Sequence, residues 1–165
     1  MTPDDLVLTS GGVHFRGQRF PCSIGKSGIT LAKQEGDGAT PAGLHHIVGC
    51  LYRADRVEPP NTWAKPLRLG DCWSDDPRDP AYNQLVQSPR EFSHEALWRG
   101  DRLYDIILLT DWNWRNPVSG AGSAIFLHRW RRPGFPTEGC IAFRMDNLAR
   151  IARHAVPGTR LIVRR

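Results

Sequence analysis

The chain has 165 residues, 40% of them apolar and 24% charged, with a formal net charge of +5; this supplies one domain over residues 1–165 with a core of its own and leaves too little length for two. No run of about 18 apolar residues is present to span a bilayer as a helix, and the N-terminal MTPDDLVLTSGG lacks the basic start and apolar centre of a secretory signal. The positive excess favours anionic partners, yet it gathers only at Arg129, Arg131, Arg132, Arg164 and Arg165 with no recognition helix or stacking-aromatic pattern, so a nucleic-acid partner is not expected.

The first elements read as strands. LVLTS, VHFRGQRFPCSIG and LHHIVGCLYRA are rich in β-branched and apolar residues and are separated by Gly-Gly, Gly-Lys-Ser-Gly and the turn-dense EGDGATPAG. From Glu58 to Pro89 the chain is loaded with proline, aspartate, asparagine and tryptophan; it is too irregular for a regular element and too aromatic for a disordered linker, and reads as an ordered insertion covering another part of the molecule. LYDIILLTDWN and SAIFLH then have the continuous apolar character of strands buried on both faces, which places His128 at a strand end. Leu148, Ile151, Ala152 and Ala155 follow at helical spacing, with Asp146 as N-cap and Pro157-Gly158 as the stop. TRLIVRR closes with a short strand.

Four cysteines, Cys22, Cys50, Cys72 and Cys140, lie scattered without a C-x-x-C pair, which argues against a zinc knuckle or a dense disulfide scaffold. His45 and His46 are neighbours in a strand and point to opposite faces, so they do not share a metal, and no metal site or cofactor is expected. Cys140 stands apart. It follows Gly139 after a loop with Pro133, Gly134 and Pro136, twelve residues beyond His128. A thiol with an ordinary pKa of about 8.5 needs a base to become a good nucleophile, and His128 is the available imidazole. Gly139 lets the backbone turn so that main-chain N–H groups can face a developing oxyanion. The competing reading makes Cys140 a small apolar residue opening the buried strand CIAF and His128 a strand cap. Spacing alone leaves both open. Tyr82 and Asn83 are candidates to orient a substrate, while Glu95, Asp101 and Asp105 fit better as ties between the irregular segment and arginines. The tryptophans are mostly packing residues, with one or two free to line a groove.

The succession of TPAG in EGDGATPAGLHHI, GSAIFLH and PTEGCIAF resembles the L,D-transpeptidase catalytic-domain family of the YkuD type, in which a histidine precedes a variable loop and a Ser/Thr-His-Gly-Cys signature. The likeness extends from about Gly25 to the C-terminus, and WSDDP, YNQLV and EALWRGDRLYD resemble a short-looped branch. It implies a mainly β fold with few helices, mixed sheets packed as a sandwich and one C-terminal helix. It also implies Cys140 as nucleophile, His128 as base and the main chain at Gly139 and Cys140 as oxyanion donors, acting on peptidoglycan stem peptides and open to carbapenem-type inhibitors. Thr137, Glu138 and Arg144 become candidate substrate contacts. Two positions depart from the family pattern: Glu138 stands where a histidine is usual, and Ala142 where an arginine or asparagine is common. A carboxylate facing the thiol would raise its pKa, so Glu138 is expected to turn toward Arg129, Arg131 or Arg144, and Arg144 or a residue of the covering insertion to take over the carboxylate-binding role that Ala142 cannot fill. The same site would serve transpeptidation, carboxypeptidation or exchange. An idle cell-wall-binding module and a basic nucleic-acid-binding protein are the readings from other classes.

Overall fold

The computed structural model describes residues 1–164. Along the chain run β1 (Leu6–Thr9), β2 (Gly12–Phe15), β3 (Gln18–Phe20), β4 (Cys22–Ser23), β5 (Ile29–Thr30), β6 (Thr40–Pro41), β7 (Gly43–Tyr52) and β8 (Lys65–Pro66). They are followed by β9 (Asp71–Ser74), β10 (Leu85–Gln87), β11 (His94–Ala96), β12 (Ile106–Thr110), β13 (Phe126–Arg129), β14 (Ile141–Phe143), α1 (Met145–His154) and β15 (Arg160–Val163). The fold is mainly β, with mixed sheets and a single helix near the C-terminus.

Most strands join one sheet in the order β3-β2-β1-β15-β7-β12-β13-β14-β4, with β8 also paired to β7. β7 holds the two halves together, because its first residues pair with β15 and its later ones with β12. The continuous apolar runs of β12 to β14 have a physical cause: these strands are covered on both faces. On one face Ile106, Leu108, Leu127, Ile141 and Phe143 pack with β1, β2 and the Leu148–Ile151–Ala152 stripe of α1. On the other, Ile107 and Phe126 pack with Leu51, Leu67, Trp73, Leu97 and Tyr104, beneath a small sheet ordered β10-β9-β11.

Three details differ from the sequence reading. The irregular segment does contain regular structure, since β9 is buried at every residue and pairs with β10 and β11. These strands have only three or four residues, too few for alternation to show in a run of Asp, Trp and Ser. The helix starts earlier, with Arg144 rather than Asp146 at the N-cap and no side-chain capping bond; Asp146 sits in the first turn, where the helix dipole favours a carboxylate. Its C-terminal carbonyls at Ala152 and Ala155 accept bonds from Asn61 Nδ2 (2.9 Å) and Trp63 Nε1 (3.2 Å), both from the insertion. Finally, β1 is integral to the large sheet through parallel pairing with β15. Among the described residues no helix is long and apolar enough to cross a membrane.

Candidate active site

β13 and β14 are parallel neighbours, with His128 directly across from Ala142. Cys140 lies two residues before Ala142, so pleat alternation puts Cys140, Ala142 and His128 on one face of the sheet, while Leu127 and Ile141 serve the core on the other. Parallel neighbours need a connection of about a dozen residues, which is the origin of the spacing between the histidine and the cysteine. All three side chains line a cavity of about 820 Å³. Its other walls come from β11, from the 130–138 loop and from the chain around Lys33 and Glu35.

The Cys140 thiol donates to Ala124 O (3.0 Å), and the Phe126 N–H donates to the sulfur (3.4 Å). Burial pushes the thiol pKa up to about 12, and the negative charge of Glu95 adds to the rise. His128 Nδ1 lies 2.6 Å from Arg129 O. A carbonyl can only accept, so the proton is on Nδ1 and Nε2 is the free base. Burial lowers the imidazole pKa to about 4, and Tyr104 stands edge-on to the ring at 5.3 Å between centroids. Burial thus favours the neutral thiol and the neutral imidazole over a thiolate–imidazolium pair.

The Gly139-Cys140 peptide is fixed from both sides. Thr137 Oγ1 accepts from Gly139 N (3.1 Å) and donates to Cys140 O (2.6 Å). Thr40 Oγ1, fully buried in the TPAG segment, donates to Gly139 O (2.8 Å) and accepts from Gly25 N (2.9 Å). Gly139 has φ +143°, and a Cβ there would lie 2.8 Å from Ala39 O, so glycine is required both by conformation and by space. This corrects the expected role of Gly139. Its N–H is committed to Thr137 and does not serve as a free oxyanion donor. Thr137, although it lines the cavity, spends its hydroxyl on the loop.

The other expected contacts also sit differently. Glu138 is among the residues lining the cavity, but its carboxylate pairs with Lys26 at 2.8 Å, not with an arginine. Backbone bonds from Thr137 N to Ile24 O and from Lys26 N to Thr137 O bring that lysine alongside. Arg144 does not line the cavity: the strand ends before it, and its exposed side chain pairs with Asp146 at 3.0 Å. Tyr82 and Asn83 are buried behind the wall. The Tyr82 hydroxyl donates to Glu35 and accepts from Gly122 N (3.0 Å). Asn83 Oδ1 accepts from Trp73 Nε1 (2.8 Å) and Ala124 N (3.0 Å), while its Nδ2 donates to Trp112 O (3.0 Å) and Asn113 O (2.6 Å). Both hold the 122–124 segment whose Ala124 carbonyl receives the thiol. His45 turns inward to Pro41 O and His46 outward to Asp111, and the described residues contain no cluster of three potential metal ligands.

Sequence reasoning missed several residues of the site. Glu95 was expected to pair with an arginine, as Asp101 does with Arg99 and Asp105 with Arg56. It instead lines the cavity and accepts from the Tyr104 hydroxyl (2.6 Å). The available signal was phase: Glu95 lies two residues before the fully buried Leu97. Arg131 lines the cavity from the loop and forms no ion pair among the described residues.

The stored alkylation chemistry can be read by pH. Below the thiol pKa the thiolate fraction rises tenfold per pH unit, so iodoacetamide labelling of Cys140 is expected to climb from pH 7 to 10 without levelling. Peptide mapping would separate it from Cys22, Cys50 and Cys72. A plateau near pH 8 would show that the resting thiol is already activated.

No curated protein and no solved structure matches the chain. The family model for the L,D-transpeptidase catalytic domain, YkuD, matches residues 5–163, reaching further toward the N-terminus than the Gly25 boundary because β1 and β15 are paired partners in one sheet. With that match spanning nearly the whole sequence, and with His128 and Cys140 lining one cavity, the chain belongs to the L,D-transpeptidase catalytic-domain family.

Proposed function

We propose that the protein is a cysteine acyltransferase acting on peptidoglycan stem peptides, with Cys140 as nucleophile and His128 as base. The observation that carries this reading is the shared cavity face of Cys140 and His128, combined with a histidine whose Nδ1 proton is held by Arg129 O. In the first step the thiol proton passes to His128 Nε2 as sulfur bonds to the carbonyl carbon of the third stem residue. The tetrahedral intermediate then breaks its C–N bond, His128 returns the proton to the departing amine, and the terminal D-amino acid leaves a thioester on Cys140. An amine from a second stem attacks that thioester; its proton goes to His128 and then to the sulfur as the S–C bond breaks. Water in place of the amine gives carboxypeptidation.

Burial favours the neutral form of both groups, so transfer of the thiol proton to His128 belongs to the acylation step. Arg131, which lines the cavity and forms no ion pair among the described residues, takes the place of Arg144 as the candidate for the carboxylate of the departing residue. Incubation with a disaccharide tetrapeptide should give an intact-mass shift for the acyl-enzyme lacking the terminal D-amino acid. His128→Ala should slow adduct formation by about 10²–10⁴-fold, the usual contribution of a positioned base. Absence of an adduct from both this donor and a carbapenem, with Cys140 still open to alkylation, would rule the proposal out.

A further inference from the structure

A carboxylate faces the nucleophile, and the reaction proposed above gives it nothing to do. Glu95, on β11, uses Oε1 to accept from Tyr104 and has no partner for its second oxygen among the described residues, although the residue lines the cavity. It is across from Trp73 in the small sheet, and Asp75, two residues beyond Trp73, shares that face. Asp75 also lines the cavity, and its Oδ1 is buried with no hydrogen-bond partner. Two of the nearby cations are committed, Arg99 forking onto Asp101 through bonds of 2.9 and 2.6 Å and Lys33 held by Asp37 and Gln34 O, while Arg131 also acts on Glu95 electrostatically but makes no ion pair with it.

This arrangement opposes the chemistry beside it. A thiol becoming a thiolate next to a carboxylate meets like-charge repulsion in a medium that screens poorly, and both burial and Glu95 raise the thiol pKa. A half-buried carboxylate with an open oxygen is best satisfied by a cationic donor of hydrogen bonds. An ammonium group arriving with the substrate would meet that need and cancel the repulsion in one event.

On the reading of the site as an acyltransferase, we infer that Glu95, backed by Asp75, is the specificity-determining residue that seats a side-chain ammonium of the donor peptide, so that a cationic donor activates Cys140 and a neutral one does not. The group that Glu95 would seat is the side-chain amine of the third stem residue, whose carbonyl Cys140 attacks in the function proposed above. Glu95 positions and neutralises charge; Cys140 and His128 carry the bond changes.

The test compares two donors on the full chain: L-alanyl-D-glutamyl-L-lysyl-D-alanine, and its twin with norleucine in place of lysine. The rate of acyl-adduct formation on Cys140 is read by intact mass. The wild type is expected to react at least tenfold faster with the lysine peptide. Glu95→Gln is expected to bring the two donors within about twofold. Equal rates for the two donors on the wild type would overturn the inference while leaving the acyltransferase reading intact, and that comparison needs no variant to fold. A tenfold preference that persists in Glu95→Gln would overturn it as well. No adduct from either donor would remove the stem-peptide reading and this inference together.

Discussion

Cys140→Ser is expected to abolish the acyl adduct, with carbapenem acylation falling by at least about 10³-fold and the fold retained. Burial already holds the thiol near a pKa of 12, and a hydroxyl in the same surroundings is a much weaker acid. His128, with its pKa lowered to about 4, cannot compensate as a stronger base. Stability should change little, because the serine hydroxyl can donate to Ala124 O as the thiol does at 3.0 Å. Thermal denaturation and intact-mass kinetics on the same preparation separate the two effects. An adduct that forms on the serine variant at a rate near wild type would place the nucleophile elsewhere.

The parts of this molecule that were legible in its sequence share one property: their signal is local and long enough to be periodic. The helical stripe Leu148–Ile151–Ala152 and the apolar runs of β12 and β13 report burial directly, and the histidine–loop–cysteine spacing reports a connection between parallel strands. Glu95 was misassigned because its environment is created by Tyr104 and by strands 20 or more residues away in sequence. The same holds for Thr40, whose hydroxyl reaches Gly139 across 99 residues. Asp-rich segments offer many candidate partners for arginine, and nothing in composition distinguishes the carboxylate that finds none. Tyr82 and Asn83 were candidates to orient a substrate from their polarity, and the structure places both buried and outside the residues that line the cavity. A polar side chain that is fully hydrogen-bonded inside the protein looks the same in sequence as one that faces a ligand.

Asn83 is the clearest instance, and its replacement should be among the most destabilising changes in the chain. It is 2% exposed, has φ +58°, and makes four hydrogen bonds that join Trp73, the 112–113 turn and Ala124. Asn83→Ala removes every partner at once and leaves an indole N–H, a backbone N–H and two carbonyls short of a bond. At about 1–3 kcal/mol for each buried group left unsatisfied, with relaxation and water recovering part of the loss, a net cost of about 3–5 kcal/mol is expected. For a chain of this size that lowers the melting temperature by roughly 10 °C. Asn83→Gly loses the same bonds but accepts the positive φ without strain, so it should be more stable than the alanine variant by up to about 1 kcal/mol. The comparison reaches the active site through Ala124, itself at φ +51°, whose N–H is held by Asn83 and whose carbonyl holds the thiol. Carbapenem acylation should therefore slow in both variants at temperatures where they remain folded. If Asn83→Ala melts within a degree or two of wild type, the hydrogen-bond hub does not stabilise the cavity wall, and the support of Cys140 must come from the Thr40 and Thr137 side alone.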